Sequence, residues 1–169
     1  MDFFEGVVIE YLRADRALFV NTQYCIQINE GLNPDTSGPH WYCDAVVADF
    51  RDQCIFLCEI TFANPPNGLL VRLDGWNSHW ADVRKALHRG SNLPDSWPVR
   101  PWLFVLEKLV PKVIEKCQKF RSARPDGASE SLLPVPRITP LEMVMPWHYT
   151  SWNRHGEKEK LAIIPTEMQ

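Results

Sequence analysis

The chain lacks the long apolar run that a membrane span requires. Among its 169 residues, no uninterrupted apolar segment approaches the roughly 18–20 residues that cross a bilayer. The N-terminus is acidic from Asp2 onward and has no basic stretch of the kind that opens a secretory signal peptide. Together these absences predict a protein without membrane association and with a cytoplasmic location.

Cysteine is too scarce, and its count is odd, for a disulfide framework. Of the five cysteines, Cys43, Cys54 and Cys58 fall inside apolar, strand-like segments. That placement predicts buried, reduced thiols, which suit a reducing compartment. His40 and Cys43 are an isolated pair of potential zinc ligands with no second pair, so no structural zinc site is expected.

Excess positive charge is also absent. The formal net charge is −3 and the isoelectric point is about 5.9, which argues against a protein that coats nucleic acid through bulk electrostatics. A local basic face is still present, because lysines recur at three- and four-residue spacing late in the chain. Acidic neighbours dilute this stripe, so an ordinary solvated face is the alternative. The candidate nucleic-acid contacts are Arg84, Lys112, Lys116 and Lys119.

The apolar patterns predict one α/β domain. Its helices are expected over residues 3–17, 76–88 and 111–121, and its strands over 18–28, 41–48, 53–62, 102–106 and 141–145. This order predicts a central mixed β-sheet flanked by helices. We place the domain at residues 1–152, with a mobile loop over 122–136, and a charged tail at 153–169.

Two acids in the predicted hairpin carry the main functional hint. Glu59 lies in a strand that is otherwise almost entirely apolar, and a hairpin turning near Arg51 brings Asp44 opposite it or one residue away. Two buried carboxylates repel each other unless a cation lies between them, and Mg²⁺ or Mn²⁺ prefers such oxygen ligands. The plainer alternative is that Asp44 is an ordinary hairpin residue and that Glu59 pairs with an arginine such as Arg72.

The order of elements and acids resembles a known nuclease superfamily. A first helix bearing a glutamate, a hairpin bearing an aspartate and then a glutamate, and a following basic helix are similar to the PD-(D/E)xK nucleases. The resemblance covers roughly residues 3–106 and implies a restriction-endonuclease-like core. It also implies that Mg²⁺ or Mn²⁺ is bound by Asp44, Glu59, the carbonyl of Ile60 and, as an auxiliary ligand, Glu10.

The chain departs from that family at the basic residue. Thr61 stands where the family has a lysine, and Cys43 rather than proline precedes Asp44. In some members the next helix supplies the basic group, so Lys85, or Arg84 beside it, is the expected catalytic cation. The resemblance implies a metal-dependent nuclease that hydrolyses phosphodiester bonds. The alternatives are an inactive scaffold of the same fold that binds a protein or nucleic acid, and an unrelated α/β interaction protein.

Overall fold

The computed structural model describes residues 2–30, 36–122 and 132–145. Its helices are α1 (Phe3–Ala14), α2 (Asn67–Ser78), α3 (Trp80–Ser91) and α4 (Val110–Ser122), with short 3-10 turns at Glu107–Leu109 and Leu141–Met143. Its strands are β1 (Leu18–Gln27), β2 (His40–Asp49), β3 (Cys54–Thr61), β4 (Val99–Val105) and β5 (Arg137–Pro140). None of the described helices is long and apolar enough to cross a membrane. The predicted tail and most of the predicted mobile loop lie outside the described residues.

The strands form one mixed sheet in the order β1-β2-β3-β4-β5. The first three strands are antiparallel neighbours, whereas β4 runs parallel to β3 and β5 runs parallel to β4. The central strand is β3, whose residues 54–60 are all buried, as expected for a strand covered on both faces. The predicted α/β class, with a central mixed sheet flanked by helices, is confirmed.

Helices cover both faces of this sheet. Phe56 and the other even-numbered residues of β3 pack in the same cluster as α1, whereas Ile55 and Leu57 pack with α2 and α3. Side chains alternate along a strand, so Glu59 belongs to the face that carries α2. The only acid of β3 is therefore directed toward the helix that follows it in the chain.

The predicted hairpin is confirmed. β2 and β3 pair from Ala45 opposite Cys58 to Asp49 opposite Cys54. The buried side chain of Asp49 closes the turn, since its Oδ1 accepts the backbone N–H groups of Arg51 and Asp52 at 2.9 and 3.2 Å. This Asx-type turn fixes the register and thereby sets which residues meet at the far end of the hairpin.

The helix predicted over 76–88 is wrong in its extent, because two helices occupy this region. α2 begins at Asn67 and its buried residues Leu69, Leu73 and Trp76 follow helical spacing. The chain leaves helical geometry at His79 (φ −124°, ψ 22°), whose carbonyl then accepts the N–H groups at the start of α3. Asp74, just before the predicted start of the helix, lies inside α2.

The strand predicted over 141–145 is also wrong. The last described strand is β5, which pairs with β4 from Trp102 opposite Arg137 to Val105 opposite Pro140. The indole N–H of Trp102 donates to Thr139 Oγ1 at 2.9 Å and ties the two strands together. β5 ends in a proline, which is tolerated on an edge strand where no further N–H is needed. β5 was not predicted because the prolines around it favour a loop.

Candidate functional site

The two predicted acids meet where the hairpin opens. The last paired residues of β2 and β3 are Ala45 and Cys58, so the same register places Asp44 opposite Glu59. The backbone pairing of β2 with β3 ends there, and beyond it the side chain of Asp44, rather than a backbone carbonyl, accepts a hydrogen bond from β3. Asp44 Oδ2 accepts the N–H of Ile60 at 2.7 Å. The structure thus brings together Asp44, Glu59 and Ile60, three of the four predicted metal-binding residues.

A change of side-chain alternation positions Asp44 between the two helical layers. Cys43 packs in the cluster that faces α2, although Ala45, two residues later, packs in the cluster that faces α1. On the neighbouring strand, Gln23 has a positive φ of 52°, and the Gln23–Asp44 pair is missing from an otherwise continuous register. Asp44 bonds to the backbone of the next strand. Charges from both helical layers therefore influence its carboxylate, namely those of Asp2 and Glu5 on the α1 side and that of Arg72 on α2.

Glu59 is held by an arginine of α2. The residue is only 6% exposed, and both of its carboxylate oxygens lie near Arg72 Nη1, at 2.7 and 2.9 Å. The same Nη1 donates to the carbonyl oxygen of Tyr42 on β2. The pairing of Glu59 with Arg72, considered as the plainer alternative, therefore exists. Glu59 nevertheless also has Asp44 opposite it, so both features of the prediction are present together.

The two acids are short of positive charge even with Arg72 present. Burial raises the pKa of Glu59 to about 8 from an ordinary 4.5, and the charge of Asp44 adds to the rise. Arg72 opposes both effects, and its contact with both oxygens favours the ionised form. Burial also raises the pKa of Asp44, against the lowering effect of the Ile60 hydrogen bond. Any additional cation at this place is favoured, because it relieves the repulsion of two partly desolvated acids.

The structure does not bring Glu10, the glutamate predicted from the first helix, to the hairpin acids. The structure places Glu10 on the exposed side of α1, where it pairs with Arg13 at 3.3 Å. The charge of Glu5 instead raises the pKa of both hairpin acids. Glu5 is fixed at the start of α1 by a capping box with Asp2, in which each side chain accepts the other's backbone N–H.

The basic group at the site also differs from expectation. Lys85 lies on the exposed side of α3, opposite Val83, Ala86 and Leu87, which face the sheet. Arg84 is half-buried on the same helix. The cation that contacts Glu59 is Arg72 of α2, the helix directly after β3. Arg72 was identified in the sequence only as a neutralising partner, because α2 was not predicted as a helix.

The lysines of α4 are partly neutralised. Lys116 Nζ lies 2.7 Å from Asp74 of α2, and Lys119 Nζ lies 2.7 Å from Glu115 one turn earlier. Lys112 is exposed on the same helix. The predicted basic face therefore exists, but two of its three lysines have acidic partners within reach.

The oxygen ligands that Asp44 and Glu59 provide are of the type that a hard divalent cation prefers. Asp44 and Glu59 offer carboxylate oxygens, which Mg²⁺ and Mn²⁺ prefer, and their raised pKa values indicate the need for positive charge. Among the described residues, no group of three His, Cys, Asp or Glu side chains converges to hold an ion. Arg72 lies on both Glu59 oxygens, so a metal ion would share or replace that contact.

All five cysteines are free, and Cys43, Cys54 and Cys58 are buried as predicted. Burial raises the pKa of Cys43 and Cys58 well above the ordinary thiol value, so both are held as neutral thiols rather than as metal-binding thiolates. Within the described part of the chain, the charged groups that act most strongly on Asp44 and Glu59 are carboxylates and the guanidinium of Arg72.

Comparison of the chain with protein family models, with curated proteins and with solved structures found no match. The resemblance to the PD-(D/E)xK nucleases therefore stays a prediction. What the structure contributes is the element order, the mixed sheet and the meeting of Asp44 with Glu59 at the open end of the hairpin.

Proposed function

We propose that this protein is a metal-dependent nuclease that hydrolyses phosphodiester bonds, with a PD-(D/E)xK-like site. The observation that supports this most directly is the forced proximity of Asp44 and Glu59. The hairpin register places the half-buried Asp44 opposite the buried Glu59, and the pKa of each is raised. The mutual repulsion of such a pair destabilises the fold, and a bound Mg²⁺ or Mn²⁺ ion would relieve that repulsion.

Each residue then has a definite role. Asp44 and Glu59 would hold the ion, together with the carbonyl of Ile60 as the resemblance implies. When bound, the ion supplies Lewis-acid polarisation of the phosphodiester and a lower pKa for an attacking water. Arg72 of α2 lies beside Glu59, and its guanidinium suits the charge that develops on the phosphate. We therefore assign Arg72 the role of the family lysine, in preference to Lys85.

The first experiment measures Mn²⁺ binding by calorimetry and cleavage of single- and double-stranded oligonucleotides. Asp44→Asn keeps an oxygen acceptor for the Ile60 N–H, and Glu59→Gln keeps the shape of the side chain, so both remove charge with little change in packing. We expect each variant to lose metal binding and cleavage by about tenfold or more. Glu10→Gln is the matched control and should behave like the parent. Unchanged cleavage in both site variants would refute the assignment.

An inactive, partner-binding scaffold of the same fold is the second candidate. The contact of Arg72 with both Glu59 oxygens favours it, because a guanidinium in that position can substitute for the metal ion. The absence of a lysine at Thr61 points the same way. The two candidates differ in the behaviour of Arg72→Ala. If Arg72 has replaced the ion, the parent binds no Mn²⁺ while Arg72→Ala gains binding. If Arg72 assists catalysis, the parent binds Mn²⁺ and the variant loses cleavage.

The proposed location is the cytoplasm. Its support is the set of five free cysteines, three of them buried, which a reducing compartment preserves. Nucleic acid is the proposed partner of the active form.

A further inference from the structure

Three phenylalanine rings form a connected cluster at the start of α1 and the end of β3. The ring of Phe4 stacks on that of Phe62, with centroids 4.6 Å apart and planes inclined by 30°. Phe3 meets Phe4 edge to face, with centroids 5.5 Å apart. We call Phe3, Phe4 and Phe62 the aromatic cluster.

The aromatic cluster adjoins the carboxylate site. Phe62 follows β3 directly and is three residues beyond Glu59, while Phe3 is two residues before Glu5. The stack of Phe4 on Phe62 brings the start of α1 against the residue that directly follows β3. The rings therefore lie at the same open end of the hairpin as the acids, on the face of the sheet that carries α1, whereas the side chain of Glu59 is directed toward α2.

Two of the three rings are exposed to a degree that packing does not explain. Phe3 is 72% exposed and Phe62 is 48% exposed, whereas Phe4 is half-buried and joins them to the core beneath α1. An exposed aromatic residue contributes little to folding. Here both exposed rings contact the half-buried ring of Phe4, and together the three rings form an aromatic surface on which a flat ligand can stack.

The surrounding charge indicates which part of a ligand this surface would contact. Asp2 and Glu5 lie on either side of Phe3 and Phe4 in the chain, and both charges raise the pKa of Asp44. Acids at this position disfavour a phosphate, but a nucleobase is uncharged and presents a flat π-face. The rings are thus suited to a base adjacent to the phosphate that reaches the acids.

We propose that Phe3 and Phe62 stack on an unpaired nucleobase next to the scissile phosphate, which makes single-stranded nucleic acid the preferred substrate. This inference rests on the proposed nuclease function. In a duplex each base is already stacked between its neighbours, so its face is not available to a protein ring. A single strand, or a frayed end, presents that face without the cost of unpairing.

The test uses a single-stranded oligonucleotide that contains a fluorescent adenine analogue, whose emission is quenched on stacking. Binding is measured with the full chain in the presence of EDTA, so that no cleavage occurs. Phe62→Leu keeps an apolar side chain but removes the ring, and Phe62→Trp restores a ring. We expect Phe62→Leu and Phe3→Leu each to weaken binding by about fivefold or more and to abolish the quench, and Phe62→Trp to retain both.

The matched control is Phe19→Leu. Phe19 is 64% exposed and meets Phe50 edge to face, with centroids 4.9 Å apart, near the turn at the opposite end of the hairpin. This variant removes a ring whose exposure lies between those of Phe3 and Phe62, and it should leave binding and quenching unchanged. A general effect of lost surface hydrophobicity would instead weaken binding in all the leucine variants, and that result would overturn the proposal.

Failure of the stacking proposal can be told apart from failure of the nuclease proposal. If Mn²⁺ binding and cleavage depend on Asp44 and Glu59 but the leucine variants bind like the parent, the aromatic cluster is not a base-binding surface. If binding and quenching depend on Phe62 while no metal binds, the stacking surface exists in a protein that is not a nuclease. Equal affinity of the parent for duplex and single strand, without a quench, would also refute the stacking proposal.

Discussion

Arg72 Nη1 lies within 2.9 Å of both carboxylate oxygens of Glu59, in a sheet interior where Glu59 is almost fully buried. The guanidinium comes from the helix that directly follows the strand bearing Glu59, and it is anchored a second time by the carbonyl of Tyr42. A buried acid with one fixed cation and a second acid opposite is an electrostatically unbalanced arrangement. Its response to pH, to loss of the cation and to an added ion is open to measurement.

Removal of the guanidinium should destabilise the fold in a pH-dependent way. Arg72→Ala leaves Glu59 buried without its partner, and breaking a buried pair from one side costs about 3–5 kcal/mol. We expect a loss of that order at about pH 9, where Glu59 of the parent is ionised and paired with Arg72, and a smaller loss at about pH 5, where Glu59 is protonated with or without the arginine. Urea unfolding at the two pH values measures both losses.

The control for this comparison is Lys116→Ala. It removes a pair with Asp74 in which the side chains are 29% and 51% exposed, and such pairs contribute at most about 1 kcal/mol. Its effect should be small at both pH values. An equal loss for Arg72→Ala at high and low pH would show that the arginine acts through packing rather than through the charge of Glu59.

Glu59 should make the parent less stable as the pH rises. Its pKa in the folded chain is about 8, above the ordinary 4.5, so between these values the folded chain retains a proton that the unfolded chain has lost. The free energy of unfolding therefore falls as pH increases through this interval. In Glu59→Gln most of this fall should disappear. Glu10→Gln, which alters an exposed acid, should retain the slope of the parent, and a slope shared by all three proteins would contradict the assignment.

The position of the hairpin acids could be predicted because register follows from local rules. The polar turn at Asp49–Asp52 and the two flanking apolar runs determine the pairing, and Asp44 then falls opposite Glu59. The contact between Asp44 Oδ2 and the Ile60 N–H could not be predicted. It occurs where the pairing of β1 with β2 is interrupted at Gln23, and no turn motif in the sequence indicates the positive φ of that residue.

The choice between Glu5 and Glu10 follows from the register of β1 with β2, which the structure supplies and the sequence does not. Asp44 is level with position 23 of β1, five residues beyond the start of that strand, or about 16 Å along it. A helix that packs back along the strand covers this distance in about 11 residues. Counting back from Ala14 reaches the neighbourhood of Glu5, well before Glu10. Arg72 was beyond such reasoning, because a proline-rich start and weak amphipathic character concealed α2.

The identity of the helix acid gives a direct comparison of two single variants. Glu5→Gln removes the charge but retains the capping box, since glutamine serves equally at that position. The pKa of Asp44 and of Glu59 should fall in this variant, because the charge of Glu5 raises both. Glu10→Gln should leave them as they are. Carboxyl carbon chemical shifts followed by NMR against pH report each acid separately, and a larger effect from Glu10 would reverse the assignment.

Metal binding, if the nuclease proposal holds, should be coupled to proton release. Glu59 has a pKa of about 8, so at neutral pH a substantial share of the sites is protonated and an incoming ion must displace that proton. Apparent Mn²⁺ affinity should therefore rise as the pH increases toward about 8 and level off above it. Calorimetry in buffers of different ionisation enthalpy counts the released protons. In Glu5→Gln, where the pKa of Glu59 is lower, the rise should begin at lower pH, whereas affinity independent of pH would show that the ion does not bind Glu59.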